Sequence, residues 1–253
     1  MKFCSLGSSS SGNSYLVSKN NTNILVDSGF SVTELESRMS QRELKPSEIT
    51  AIFLTHEHDD HSKGVFAFAE KHNKPIYLTY GTLKMCQKKI KKSYNLKINI
   101  ISPLDTLNLH DFTIYIIPVP HDAREPVQFK FKSEEKTLAI ITDLGFGNNE
   151  LINSIQQINA LILESNHDEN LLNQSKYPKN LKDRIRSNYG HLSNEDSLEI
   201  LRKINLDYLK WLGAAHLSKE NNSPELVKDS WKKVFQDNIN IIDPDFGLPW
   251  ISI

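Results

Sequence analysis

Cysteine is nearly absent: the 253 residues hold only Cys4 and Cys86, neither of them in a C-x-x-C pair. That argues against a disulfide-stapled secreted scaffold and for free thiols in a reducing cytosol. Long hydrophobic runs are missing too. The longest apolar stretch, residues 112–119, is short and broken by Pro118, so no transmembrane helix is expected. Residues 1–7 run into a Ser/Gly segment and lack the apolar core of a secretory signal. Nor does one charge dominate. Thirty Lys and Arg stand against 31 Asp and Glu, a net of -1, which removes any global pull toward nucleic acid or lipid. With 38% apolar residues, 24% charged residues and a mean hydropathy of -0.44, the chain reads as a globular cytoplasmic protein with no membrane partner.

No low-complexity linker divides the sequence, so one domain over residues 1–253 is expected. Short strands at 3–6 and 15–17 flank a turn of serines and glycine at 8–13, and 23–26 is a further strand. A helix is expected from about 31 to 42, with Val32, Leu35 and Met39 on one face, then a strand at 49–54. A helix around 65–69 and a strand at 75–78 follow. From residue 98 the pattern turns β-rich, with strands at 98–101, 106–109, 112–119, 128–132 and 137–142. Toward the C-terminus strands at 161–163 and 208–212 alternate with helices at 193–204 and 223–235, the last opened by Ser223-Pro224. Strands precede helices in both halves. The reading is an α/β or α+β fold of two mixed β-sheets packed face to face, with helices on the outer faces.

Histidine, by contrast, is concentrated. Thr55-His56-Glu57-His58-Asp59-Asp60-His61 follows the apolar run Ala51-Ile52-Phe53-Leu54. Imidazole and carboxylate are the side chains that hold Zn²⁺ and its neighbours. A strand end fixes where the following loop begins, so several ligands can be aimed at one point. His56, His58, Asp60 and His61 suit two metals better than one, and that points to metal-assisted hydrolysis. His121, Asp143 and His216 also follow apolar strand-like runs, and strand ends are where widely separated ligands converge.

The pattern Thr-His-x-His-x-Asp-His after a strand, with Val26-Asp27-Ser28-Gly29 before it, resembles the metallo-β-lactamase superfamily. Later elements match its order: His121, Thr142-Asp143 and His216. Ser5 to Asn13, Glu164-Ser165-Asn166-His167, Gly190-His191-Leu192-Ser193 and the segment from His216 to Asn222 narrow the resemblance to its YycJ/WalJ-type bacterial branch, nuclease-like proteins described as 5′→3′ DNA exonucleases. The resemblance implies a four-layer αββα sandwich and two divalent metal ions, Zn²⁺ or Mn²⁺. It gives one ion to His56, His58 and His121, the other to Asp60, His61 and His216, with Asp143 bridging. Asp60, His191 and Glu164 are the catalytic candidates. Asp27 is expected to brace the ligands through hydrogen bonds.

His191 separates a phosphodiesterase from other branches. It precedes an expected helix start at Ser193, where backbone N–H groups favour a phosphate, and Glu164 would pair with it. Lys176, Lys179, Lys182, Arg184 and Arg186 just before it, and a run from Lys84 to Lys97, offer contacts to a DNA backbone, while Tyr177 and Tyr189 offer stacking surfaces. DNA is therefore the expected substrate, and a homodimer is an expectation by analogy. An RNA-processing enzyme of the tRNase Z type is the alternative, though no Gly/Pro-rich arm insertion is present. A thioester, lactone or β-lactam hydrolase would have no need of the Gly-His-Leu-Ser motif. A regulator that had lost activity would lack ligands, and none is missing.

Overall fold

The computed structural model describes all residues, 1–253. Its strands, in chain order, are β1 (Lys2–Ser9), β2 (Gly12–Lys19), β3 (Thr22–Val26), β4 (Ala51–Phe53), β5 (Ile76–Thr79), β6 (Ile98–Ile101), β7 (Thr106–Leu109), β8 (Phe112–Pro118), β9 (Val127–Ser133), β10 (Lys136–Ile141), β11 (Ala160–Glu164), β12 (Trp211–Ala215), β13 (Ile239–Ile241) and β14 (Leu248–Ser252). The helices are α1 (Val32–Ser40), α2 (Asp59–Ser62), α3 (Val65–His72), α4 (Tyr80–Cys86), α5 (Asn149–Ser154), α6 (Glu169–Gln174), α7 (Lys179–Ile185), α8 (Asn194–Lys203) and α9 (Pro224–Trp231). Two mixed sheets of seven strands result, in the orders β14-β1-β2-β3-β4-β5-β6 and β13-β12-β11-β10-β9-β8-β7.

The chain divides into two compact units. One comprises residues 1–116, 123–127 and 243–252; the other comprises 117–122, 128–242 and 253. In the first, β3, β4, β5 and β6 run parallel, and β1, β2 and β14 are antiparallel additions. Its core gathers Leu16, Leu25, Ile52, Phe66, Phe68 and Leu78. In the second, β10, β11, β12 and β13 are parallel. Leu161, Leu163 and Leu212 of its central strands share a core with Leu151, Leu198, Leu201, Val227 and Trp231 of the helices. The five residues of β11 are all buried, and Ala160 to Leu163 form the continuous apolar run of a parallel strand, with Glu164 at its end.

Several elements differ from the sequence-based expectation, each for a physical reason. The serine-rich segment is not a loop: β1 and β2 run through it in register, with Ser9 opposite Gly12 and Ser8 opposite Asn13. The buried Ser8 hydroxyl is satisfied inside the sheet by its 2.7 Å contact with Tyr15 Oη, and the turn is confined to the exposed Ser10 and Ser11. The strand expected at 208–212 begins later. Residues 206–208 form a 3₁₀ turn, and the N–H groups of Lys210 and Trp211 both bond the Asn159 carbonyl, which sets the strand start at Trp211. Its small residues Gly213, Ala214 and Ala215 hid it. The short helices α4 to α7 and the last strands, β13 and β14, carry too few apolar repeats to be read from periodicity.

Candidate metal centre

In each unit the site residues sit just beyond the C-terminal ends of adjacent parallel strands, where open α/β sheets present their ligand crevices. In the first, Asp27 follows β3 and Thr55-His56 follow β4, with Val26 paired to Phe53. In the second, Asp143 follows β10, Glu164 closes β11 and His216 follows β12, with Glu164 paired to Ala215. Asp27, Asp143 and His216 all take left-handed backbone angles, with φ of 60°, 55° and 57°. For residues other than glycine this conformation is uncommon and clusters where geometry serves function.

The first unit ties its histidines into a network. Asp27 Oδ1 accepts from the Thr55 N–H at 2.8 Å and Oδ2 from the Thr55 hydroxyl at 2.9 Å; His61 Nδ1 lies 2.7 Å from Oδ2. The Thr55 hydroxyl spends its one O–H on the carboxylate, so it accepts from His56 Nδ1 at 2.9 Å. Both His56 and His61 are held as Nδ1–H tautomers, with the lone pair on Nε2. His56 Nε2 and His58 Nδ1 approach within 3.1 Å. Asn13, whose role the sequence did not signal, places Nδ2 3.2 Å from Asp60 Oδ2 and 3.1 Å from His61 Nε2. Burial pushes the Asp27 carboxyl above the usual carboxylate range, and the opposing pull of His61 does not cancel it.

Backbone packing fixes this loop. The Ser28 N–H bonds the His61 carbonyl at 2.7 Å and the Gly29 N–H bonds the Asn13 carbonyl at 3.0 Å. A Cβ on Gly29 would fall 1.8 Å from the Asp60 carbonyl oxygen, so only glycine admits this approach.

The second unit brings together His121, Asp143, Glu164, His191 and His216. Glu164 Oε1 lies 2.8 Å from Nδ1 of both His191 and His216, while Oε2 accepts from the Leu144 and Leu192 N–H groups. Burial would raise the Glu164 carboxyl, but the charge of His191 and the hydrogen bonds from both histidines outweigh it and push it down to about 2. His121 Nδ1 donates to the Gly190 carbonyl at 3.1 Å. Asp143 Oδ1 lies 3.3 Å from His216 Nδ1. Ligand atoms of Asp143, Glu164, His191 and His216 all lie within 4.8 Å of one another.

The donor chemistry fits divalent metal. Four histidines (His56, His61, His121 and His216) have Nδ1 committed to an acceptor, which is how ligating imidazoles are oriented to offer Nε2. Asp60 in the first unit and Asp143 in the second each add a carboxylate to the nitrogen donors of their own unit, a donor chemistry suited to a divalent metal ion.

Two expectations about neighbours change. The N-terminus of α8 is closed by its own capping box: Ser193 Oγ accepts from the Asp196 N–H, and the Asp196 carboxylate accepts from the Ser193 N–H. With Glu195 and Asp196 in its first turn, it repels rather than attracts a phosphate. The basic residues before His191 are partly engaged, Arg184 with Asp122 and Arg186 with Glu169. Asp59 is largely exposed, and its carboxylate meets Lys89 at 2.6 Å. His72 pairs with Glu36, and His167 is buried beside Glu169.

Residues 22–210 match the family described as the beta-lactamase superfamily domain. Among curated relatives, the exodeoxyribonuclease YycJ of Bacillus anthracis is 34% identical over 237 residues, 94% of this chain and 90% of the relative. The exodeoxyribonuclease WalJ of Streptococcus pneumoniae is 33% identical over 228 residues, 89% of this chain and 85% of the relative. Among solved structures, the metallo-β-lactamase fold protein YhfI of Bacillus subtilis aligns with a TM-score of 0.77 at 18% identity, covering 99% of this chain and 98% of YhfI.

Proposed function

The chain belongs to the beta-lactamase superfamily, and on that premise we infer that it is a metal-dependent exodeoxyribonuclease acting from the 5′ end of DNA. The observation that carries the reading is Glu164, one carboxylate oxygen 2.8 Å from both His191 and His216. Hydrolysis of a phosphodiester needs a charge to meet the phosphate and a proton for the leaving oxygen, and this arrangement equips His191 for both.

We assign His56, His58 and His121 to one divalent ion, Asp60, His61 and His216 to a second, and Asp143 to both. Such ions supply acidified water and neutralise charge on the phosphate. The chain's own residues do the rest. Glu164 stays ionised across the physiological range and holds the Nδ1–H of His191 toward itself, so that Nε2 is the atom that meets a phosphate oxygen. From there His191 stabilises the developing charge or protonates the departing 3′ oxygen. Asp27 and Thr55 keep His56 and His61 in one tautomer. We place the protein in the cytoplasm; no helix is long and apolar enough to cross a membrane.

The test is digestion of 5′- and 3′-labelled single- and double-stranded DNA across Zn²⁺, Mn²⁺ and Mg²⁺. Expected is stepwise release from the 5′ end with Mn²⁺ or Zn²⁺, abolished in His58→Ala. Absence of cleavage with every divalent ion overturns the reading. Faster processing of a pre-tRNA than of DNA in the same assay would move the substrate class to RNA.

A further inference from the structure

We propose that Tyr189 is a stacking platform for an unpaired base of the strand being digested, an inference that rests on the nuclease reading above. Tyr189 is 58% exposed, a large apolar ring left in solvent two residues before His191. An isolated exposed aromatic needs no explanation. What sets this one apart is its mounting.

The backbone around it is clamped on several sides. The Tyr189 carbonyl accepts from the Asp122 N–H at 2.9 Å, and the Tyr189 N–H bonds Ser187 Oγ at 3.3 Å. The next residue, Gly190, accepts from His121 Nδ1 through its carbonyl. A Cβ on Gly190 would fall 2.1 Å from the Ile185 carbonyl oxygen, and one on Gly145 would fall 2.2 Å from the Asn188 carbonyl carbon and 2.6 Å from the Tyr189 nitrogen. Two glycines therefore let neighbouring backbone press against this turn. The His191 N–H bonds the Ile185 carbonyl at 2.9 Å, which closes it.

The backbone that carries the ring is thus held beside two site residues: His121 bonds the Gly190 carbonyl, and His191 lies two residues on. A tyrosine presents a flat face while losing few rotamers, and every base has a matching π-face, so the contact tolerates any sequence. That suits an enzyme that must accept each nucleotide in turn. Phe146, 42% exposed, adjoins Gly145 on the stretch pressed against Asn188 and Tyr189, and adds a second exposed ring to the same region. Arg184, on the helix that leads into the turn, brings a guanidinium held by Asp122.

The experiment compares two single-stranded oligonucleotides, one normal and one with abasic residues at the first three positions from the attacked end. They are digested by the unaltered protein and by Tyr189→Ala and Tyr189→Phe, each checked for unchanged metal content. Tyr189→Ala is expected to raise KM on the normal strand roughly tenfold with kcat little changed. Tyr189→Phe should match the unaltered protein. On the abasic strand the unaltered protein should lose about the same factor, and Tyr189→Ala should lose nothing more. Equal losses for Tyr189→Ala on both strands, or no loss on either, overturn the stacking role alone. If the unaltered protein digests neither strand, the nuclease reading falls and this inference falls with it.

Discussion

His61 Nδ1 lies 2.7 Å from Asp27 Oδ2, and both side chains are fully buried. Asp27 reaches this position only because it leaves β3 in a left-handed conformation. Asp27→Asn keeps the shape but can turn an amide NH₂ in place of an acceptor oxygen toward His61, which frees His61 to take the other tautomer. Metal affinity should fall roughly 10–100-fold. Competition titration with a chromogenic chelator measures it; unchanged affinity would mean that Asp27 does not orient the ligand.

Substitutions at His191 and Glu164 should have different effects on turnover and on metal retention. His191→Ala should lower turnover about 10²–10⁴-fold with metal content intact. Glu164→Gln should disturb both, because the same oxygen holds His216. Loss of metal in His191→Ala would instead make His191 a ligand.

Acid should expose the Glu164 network. Its carboxyl is pushed from 4.5 down to about 2 in the folded protein, so the group contributes stability above pH 4.5 that is lost as the pH falls toward 2. Glu164→Gln should flatten the pH dependence of unfolding within that window. Urea titrations at pH 5 and pH 3 on both proteins provide the comparison.

Both thiols should be inert in the folded state. Burial pushes Cys4 up to about 12 and Cys86 up to about 11, so neither offers thiolate at pH 8. Iodoacetamide should modify none in native protein and both in denaturant, counted by mass spectrometry. Labelling of either thiol before unfolding contradicts the packing.

Gly29→Ala tests the backbone contact that shapes the histidine loop. A methyl 1.8 Å from the Asp60 carbonyl forces Ser28 or Asp60 to move. A stability loss of about 1–3 kcal/mol is expected, together with weaker metal binding. A melting temperature and metal content equal to the unaltered protein would show that the loop adapts freely.

The sequence made the histidine loop legible because its ligand types are rare, clustered and placed after a strong apolar strand. His121, Asp143 and His216 were legible by the same signal at lower density. Asn13 was not. An asparagine in a serine-rich stretch reads as turn, and only the pairing of Ser8 with Asn13 across β1 and β2 carries its amide to Asp60 and His61. The second partner of Glu164 was hidden for a related reason. Nothing in the spacing of residues 164 and 216 says that parallel strands β11 and β12 end side by side. Polar caps misled in the other direction. Ser193 marked the start of α8 correctly, yet Asp196 three residues on closes that helix end against anions.

The pairing of β14 with β1 joins Lys2 to Ser252 and Phe3 to Ile251. A strand added to an edge from so far along the chain cannot form until nearly everything between has been synthesised, and until then β1 presents an open hydrogen-bonding edge. That edge is therefore open to pairing with other chains from the synthesis of β1 until the synthesis of β14, and removing β14 would leave it open permanently.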